Sequence, residues 1–324
     1  MGQETKSRET VAITLLVAVA LMLAPMLAFT PGYLAGAPQN TSGLATPVHL
    51  THPMLRATSP TGEAFPISAA SGSGCPLATT QCMASYNWAG YAVCEPLSKC
   101  LNGSAVPSTV TDVKGTWVVP AVFGASGSTC PDSQKTWFDA SVWIGIDGFT
   151  SQTVEQTGTS SDCFYGHVFY YAWYEFYPNP SVTISNIVVK PGNTMTAEVS
   201  YSAGQFKVTI TDVTTSMTNS SAPTTVPGAD MNSAEWIVES AYASQGILSL
   251  THVKQIAFTS ASATLNGTAR SISGWGSNVF WLLMIDYNWL TSPSTMTLAW
   301  AKAEPLALGT LGNNFKTNWL SAGP

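Results

Sequence analysis

A chain of 324 residues, 45% of them hydrophobic, has ample material for a core, as one large domain or two small ones. Only 9% of residues are charged, against about 25% in an ordinary globular protein, and Ser, Thr, Gly, Asn and aromatic residues fill the deficit, which excludes a disordered composition. The net charge of −6 and the absence of basic clusters exclude a nucleic-acid partner.

The sparse charge also bears on the working environment. Acid unfolds proteins mostly by protonating carboxylates that are paired in the native state, and this chain has few to lose. With 12 Lys+Arg and 4 His, its positive charge at low pH stays modest, which limits self-repulsion. An extracellular protein that uses hydroxyls for solubility has the same composition, so acid tolerance and plain export are equally compatible with it.

Residues 1–37 read as an export segment. Lys6 and Arg8 precede an apolar run over 11–29, and Ala35-Gly-Ala37 is a candidate cleavage site. The run is long enough to span a bilayer, so an uncleaved anchor facing outward is the alternative. Residues 38–84, rich in Pro, Ser, Thr, Ala and Gly, are expected to be a propeptide or linker. His49 and His52 lie there as H-x-x-H, without a helix or acidic partner to make a metal site, and no metal or other cofactor is expected. The six cysteines fit an oxidising compartment, and Cys75–Cys82, Cys94–Cys100 and Cys130–Cys163 are the expected pairs among fifteen arrangements. Sequons at Asn40, Asn102, Asn219 and Asn266 are expected at the surface.

From Tyr86 onward, strand-like runs recur between turn signals: 115–119, 141–146, 168–177, 181–189, 194–202, 206–212, 235–239, 253–260, 279–285 and 296–301. β-branched and aromatic residues at this density predict an all-β, antiparallel two-sheet sandwich of the lectin-like kind over residues 85–304. Residues 305–324 read as a tail with no assignment.

The chain has no G-x-S-x-G elbow, H-E-x-x-H, P-loop or dinucleotide fingerprint, and only His167 and His252 could serve a serine triad as base. Carboxylates and amides remain. Residues two apart in a strand share a face, so Trp173 and Glu175 lie together, as do Glu235, Ile237 and Glu239, with Trp236 and Val238 on the other side. Inward carboxyls beside tryptophan should be held protonated by desolvation.

Four segments in order resemble one family: Trp143-Ile-Gly-Ile-Asp-Gly, Gln156-Thr-Gly158, Trp173-Tyr-Glu-Phe-Tyr-Pro178 and Ala234-Glu-Trp-Ile-Val-Glu239. Asn87-Trp-Ala-Gly-Tyr91 and Gly115-Thr-Trp-Val-Val-Pro120 extend the resemblance upstream. These look like the motifs of the glutamic peptidases, or eqolisins. The resemblance implies a β-sandwich with a concave cleft, a catalytic dyad of Gln156 and Glu239, and cleft-lining roles for Trp143, Asp147, Trp173 and Glu175. The loop between Asp147 and Gln156 is one residue shorter than the family pattern, which leaves Gln152 as a fallback, and Tyr171 stands where the family often has an aspartate. The expectation is therefore a secreted, monomeric acid endopeptidase and zymogen acting on protein or peptide substrates. Two alternatives stay open: a non-catalytic, sugar-binding sandwich, and a glycosidase using Glu175 and Glu239.

Overall fold

A computed structural model describes residues 81–95, 100, 109–123, 130, 137–164, 166–244, 246–286 and 301–323. The first half of the fold contains β1 (Gln81–Ser85), β2 (Trp88–Cys94), β3 (Val110–Val118), β4 (Phe138–Asp139), β5 (Ser141–Ile146), β6 (Val154–Phe164), β7 (His167–Tyr177), β8 (Val182–Ile184), β9 (Thr194–Ser202) and β10 (Gln205–Asp212). There follow β11 (Met217–Ser220), β12 (Ser233–Glu239), β13 (Tyr242–Ala243), β14 (Gly246–Ile247), β15 (Ser249–Leu250), β16 (Gln255–Leu265), β17 (Thr268–Ser271), β18 (Val279–Ile285), β19 (Ala301–Pro305) and β20 (Phe315–Trp319). A single 3₁₀ segment, Ile272–Asn278, interrupts the strands among the described residues.

The protein is all-β. Eighteen strands join into one sheet, antiparallel except where β1 pairs with β18 and β4 with β15. One wing runs β8-β7-β6-β5-β12-β2-β18, and the other runs β20-β16-β3-β9-β10-β11, with β19 joining them between β18 and β20. A twisted sheet of more than about ten strands must curl or fold back on itself. Here the two wings share one large core, in which Val142, Ile144, Trp236 and Val238 from the first meet Val113, Trp117, Val199 and Phe258 from the second. The alternation along these strands supplies that packing: in β9 every second residue from Met195 to Val199 is buried.

Trp88, Trp117, Trp143, Trp173, Trp236 and Trp281 are all fully buried. Each such ring removes about 150–250 Å² from water, an upper-bound gain of about 4–6 kcal/mol at 25 cal/mol/Å². Their indole N–H groups need acceptors, and most find one: Trp236 Nε1 donates to the Lys114 carbonyl at 2.7 Å and Trp281 Nε1 to the Pro305 carbonyl at 2.6 Å.

The expected runs at 141–146, 194–202 and 279–285 coincide with β5, β9 and β18. The run expected at 181–189 yields only Val182–Ile184, because Asn186 leaves strand pairing to bond Asn219 and the Thr218 carbonyl. The run expected at 253–260 is carried on to Leu265, past a bulge between Thr259 and Ser262 where Ser260 takes φ +55°. The run at 296–301 lies outside the described residues but for Ala301, which opens β19. Two strands fall beyond the expected 85–304 limits. β1 begins at Gln81 and lies parallel to β18, and β20 in the supposed tail pairs with both β16 and β19. Both are five residues long and lack a clean alternation, so neither stands out from the sequence.

Cys94–Cys100 and Cys130–Cys163 are bridged as expected. Cys82 is also in a disulfide, but its expected partner Cys75 lies outside the described residues, as do His49 and His52 and the export segment. No helix among the described residues is long and apolar enough to cross a membrane.

Candidate active site

Strand register builds the site. Across β7, β6, β5, β12 and β2, three successive rows face the same side of the sheet. The first holds Glu175, Gln156, Gly145, Glu235 and Ala92; the second, Trp173, Gly158, Trp143, Ile237 and Gly90; the third, Tyr171, Ser160, Ser141, Glu239 and Trp88. Paired residues point their side chains the same way. Gln156 and Glu239 therefore share one face, two rows apart along the strands, with the Trp143 indole in the row between them. This face is opposite the large core and carries its own apolar cluster, including Trp88, Trp143, Phe149, Trp173, Ile237 and Phe280.

Gly158 makes room for Trp143. A Cβ there would sit 2.4 Å from the Val142 carbonyl oxygen and 2.5 Å from the Trp143 Cβ, closer than real atoms approach. The glycine of the Gln-Thr-Gly motif is thus explained by packing, because it lets β6 come up against the Val142 carbonyl and the Trp143 Cα and Cβ of β5.

Glu239 is fully buried and receives hydrogen bonds on both carboxyl oxygens. Trp143 Nε1 donates to Oε2 at 2.7 Å and Asn87 Nδ2 donates to Oε1 at 3.0 Å. Asn87 is itself fixed: Ser85 Oγ donates to its Oδ1, and its carbonyl accepts from Ser240 N, the residue after Glu239. The edge of Trp88 meets Trp143 with ring centroids 4.8 Å apart. Two donors aimed at a carboxylate favour its charged form in a buried place, as a general base requires.

Gln156 is equally buried. Its Nε2 donates to Glu175 Oε2 at 2.7 Å, and its Oε1 has no hydrogen-bond partner. An amide nitrogen carries two hydrogens, so one N–H and one acceptor oxygen remain for a ligand. Trp173 Nε1 donates to Ser160 Oγ at 2.9 Å. Gln152, the fallback for the dyad, is exposed in the loop before β6.

Asp147 is placed differently from the other expected cleft residues. It follows β5 with φ +69° and accepts three backbone N–H bonds, from Asp230, Met231 and Asn232, at 2.8–2.9 Å. Its carboxyl clamps the loop that leads into β12. Burial pushes Asp147 up to about 6, against the pull of those three donors. Glu155 and Glu235 lie nearby, wholly buried, and neither carboxyl receives a hydrogen bond. Burial, followed by the Asp147 charge, raises Glu155 well above its ordinary value. Glu235 is raised mainly by burial, as expected for an inward carboxyl beside tryptophan.

Sequence reasoning missed Asn87 as a partner of Glu239, although the motif containing it was visible. It also missed the contact between Ser141 and Ser160, which depends on strand register and leaves no local signal. His252, one of the two histidines available to a serine triad, is stacked on Trp319 at 3.9 Å between ring centroids. Among the described residues no cluster could hold a metal ion.

Comparison with known proteins completes the picture. The model of the Peptidase A4 family matches residues 86–295. Aspergillopepsin-2 of Aspergillus niger is 29% identical over 198 residues, which cover 57% of this chain and 66% of that protein. Scytalidopepsin B of Scytalidium lignicola is 34% identical over 95 residues, 29% of this chain and 32% of that one. Both alignments thus span slightly under two thirds of the relative or less. In fold, the chain resembles the crystal structure of Scytalido-glutamic peptidase with a peptide based transition state analog, at a TM-score of 0.54 and 20% identity over 72% of this chain and 98% of that one. With its model matched over more than half of the 324 residues and the motifs in register on one face of the sheet, this chain belongs to the Peptidase A4 family, the glutamic peptidases or eqolisins.

Proposed function

We propose that this chain is an exported endopeptidase that works in acid, with Glu239 as general base and acid and Gln156 as oxyanion stabiliser. The observation that carries the reading is the placement of a carboxyl and an amide on one buried face, each oriented by neighbours: Trp143 and Asn87 for Glu239, Glu175 for Gln156. Membership of the family and the peptide-based analog bound by Scytalido-glutamic peptidase support a peptide substrate. Neither the sugar-binding nor the glycosidase alternative draws support from the family. We read the two facing wings of the sheet as the halves of a sandwich, with the cleft on the face outside the shared core.

The Glu239 carboxylate takes a proton from a bound water as that water's oxygen attacks the scissile carbonyl carbon. The carbonyl π electrons move onto its oxygen, where the free Gln156 Nε2–H meets the developing charge, and Gln156 Oε1 helps hold the water. Glu239 then delivers its proton to the leaving nitrogen, the C–N bond breaks, and a carboxylic acid and an amine result. An amide serves this role in acid because it keeps its donor and does not titrate. Trp143 and Trp173 frame the substrate, and Glu175 acts by fixing the orientation of Gln156.

The test is cleavage of denatured casein at pH 3. Gln156→Ala is expected to keep the fold and lose about 10²–10³-fold in kcat, the cost of one oxyanion donor. Wild-type kcat in that variant would remove Gln156 from the mechanism. The zymogen reading has its own test: N-terminal sequencing of the acid-activated enzyme is expected to begin after the 38–84 segment, shortly before β2 at Trp88. A fully active form that retains that segment would overturn this reading.

A further inference from the structure

Trp143 does more than donate to Glu239, because its indole reaches from one member of the dyad toward the other. Nε1 donates to Glu239 Oε2 at 2.7 Å, in the third row. Cζ3, the ring atom directly across the indole from Nε1, lies over Gly145 in the first row, where Gly145 is paired with Gln156. A Cβ built on Gly145 would sit 3.0 Å from Trp143 Cζ3, 3.1 Å from Gln156 Cβ and 3.2 Å from the Glu155 carbonyl oxygen. Non-bonded carbons settle at about 3.5–4.0 Å, so a methyl there would press on the indole and on Gln156 together.

Backbone conformation does not demand this glycine. Gly145 is inside β5 and lacks the positive φ that Gly148 takes at +97°. Alanine fits such a backbone, so what the position excludes is a side chain. Nor can the indole step aside freely. It is fully buried, the Trp143 Cα and Cβ lie against Gly158, and the ring of Trp88 packs on it. In an interior packed this closely, a push at one end of a rigid ring is passed to the other. Gln156 and Glu239 are two rows apart, so what fills the row between them governs how their side chains meet. We propose that the Trp143 indole is the spacer that sets this convergence, and that Gly145 is the positioning residue that seats it. The inference rests on the peptidase reading for its effect on turnover.

Gly145→Ala is expected to fold and to lose about 10- to 100-fold in kcat on denatured casein at pH 3, with little change in KM, the size of effect a small misplacement of a catalytic group produces. Gly115→Ala is the control. A Cβ there would crowd Ile144 Cγ2 at 2.9 Å and Trp236 Cδ1 at 3.1 Å, on the large-core side of the sheet. Over-packing that core is expected to lower the melting temperature and to leave kcat unchanged.

Trp143→Phe removes the second ring, and with it both Cζ3 and the N–H. In that background Gly145→Ala has no indole to displace. The double variant is therefore expected to match the kcat of Trp143→Phe within about twofold, the margin to which independent effects are read. Losses that instead multiply overturn the proposal. So does a wild-type kcat in Gly145→Ala, or a loss in Gly115→Ala as large as that in Gly145→Ala. Should Gly145→Ala not fold, the double variant decides: one that folds with the kcat of Trp143→Phe upholds the spacer, and one that misfolds or is slower overturns it. Glu239→Gln in the same assay separates the two readings: activity retained there removes the dyad, whereas independent losses at Gly145 and Trp143 remove only the spacer.

Discussion

Glu239→Gln is expected to leave a folded protein with casein cleavage at pH 3 lowered by about 10⁴-fold, the upper end of what a positioned acid–base group contributes. The substitution keeps the shape of the side chain and removes its ability to take a proton from water. Fold should survive because the amide oxygen can still accept from Trp143 Nε1 or Asn87 Nδ2, the two donors that hold the wild-type carboxyl. One of those donors must then face an amide N–H₂, which costs about 1–3 kcal/mol of stability and sets the limit on how much the melting temperature drops. Thermal unfolding and casein cleavage measured on the same sample separate lost chemistry from lost fold. A purified Glu239→Gln enzyme as fast as wild type would end the assignment. Residual activity at the level of Gln156→Ala would instead mean that the carboxyl only positions the water.

How much of this was readable from the chain depends on the strand. β12 announces itself: in Ser233–Glu239 the apolar residues and tryptophan surround two glutamates, and alternation puts Glu235 and Glu239 on one face, as the register confirms. β5 and β7 are equally legible, through aromatic and β-branched residues. β6 is not. Val154–Phe164 is almost entirely buried yet is composed mainly of Glu, Gln, Thr, Gly, Ser and Asp, which locally reads as a loop. It survives burial because three of its four hydroxyls, those of Thr157, Thr159 and Ser160, find partners. Thr159 Oγ1 accepts from Trp117 Nε1, Thr157 Oγ1 donates to the Trp173 carbonyl, and Ser160 pairs with Ser141. None of those partners is near in sequence, so no window reveals them. Gln156 was found only through its motif.

Asp147 shows the same limit from the other side. Its motif marked it for the cleft, but its three backbone hydrogen bonds reach residues more than eighty positions away, and it acts there as a clamp on the entry to β12. A motif names the residue that matters. Only register and long-range contacts show what it holds.

The buried glutamates beside that clamp lead to a second large effect, on stability. Glu155 and Glu235 are wholly buried and receive no hydrogen bond, and the hydroxyls of Thr153 and Ser233 nearby relieve them only in part. In the folded protein both stay protonated at a pH where the unfolded chain, with an ordinary value of 4.5, has already ionised. The sign follows from linkage. A carboxyl raised by folding contributes its full stability below the unfolded value and loses it as pH climbs toward the folded one. Each such group removes about 1.4 kcal/mol per pH unit in that window, and two remove about 3. For a domain of this size that corresponds to a fall of roughly 5–10 °C in melting temperature per pH unit above about pH 4.5. The protein should therefore be most stable in acid and melt progressively earlier toward pH 7, the reverse of ordinary acid denaturation. Glutamine has the shape of a protonated glutamate and cannot ionise, so Glu155→Gln/Glu235→Gln is expected to flatten that slope. Calorimetric melting temperatures of wild type and the double variant from pH 3 to pH 7 decide it: a wild-type value that holds level or rises across that range, or a double variant with the wild-type slope, would show that these carboxyls do not govern the stability of the fold.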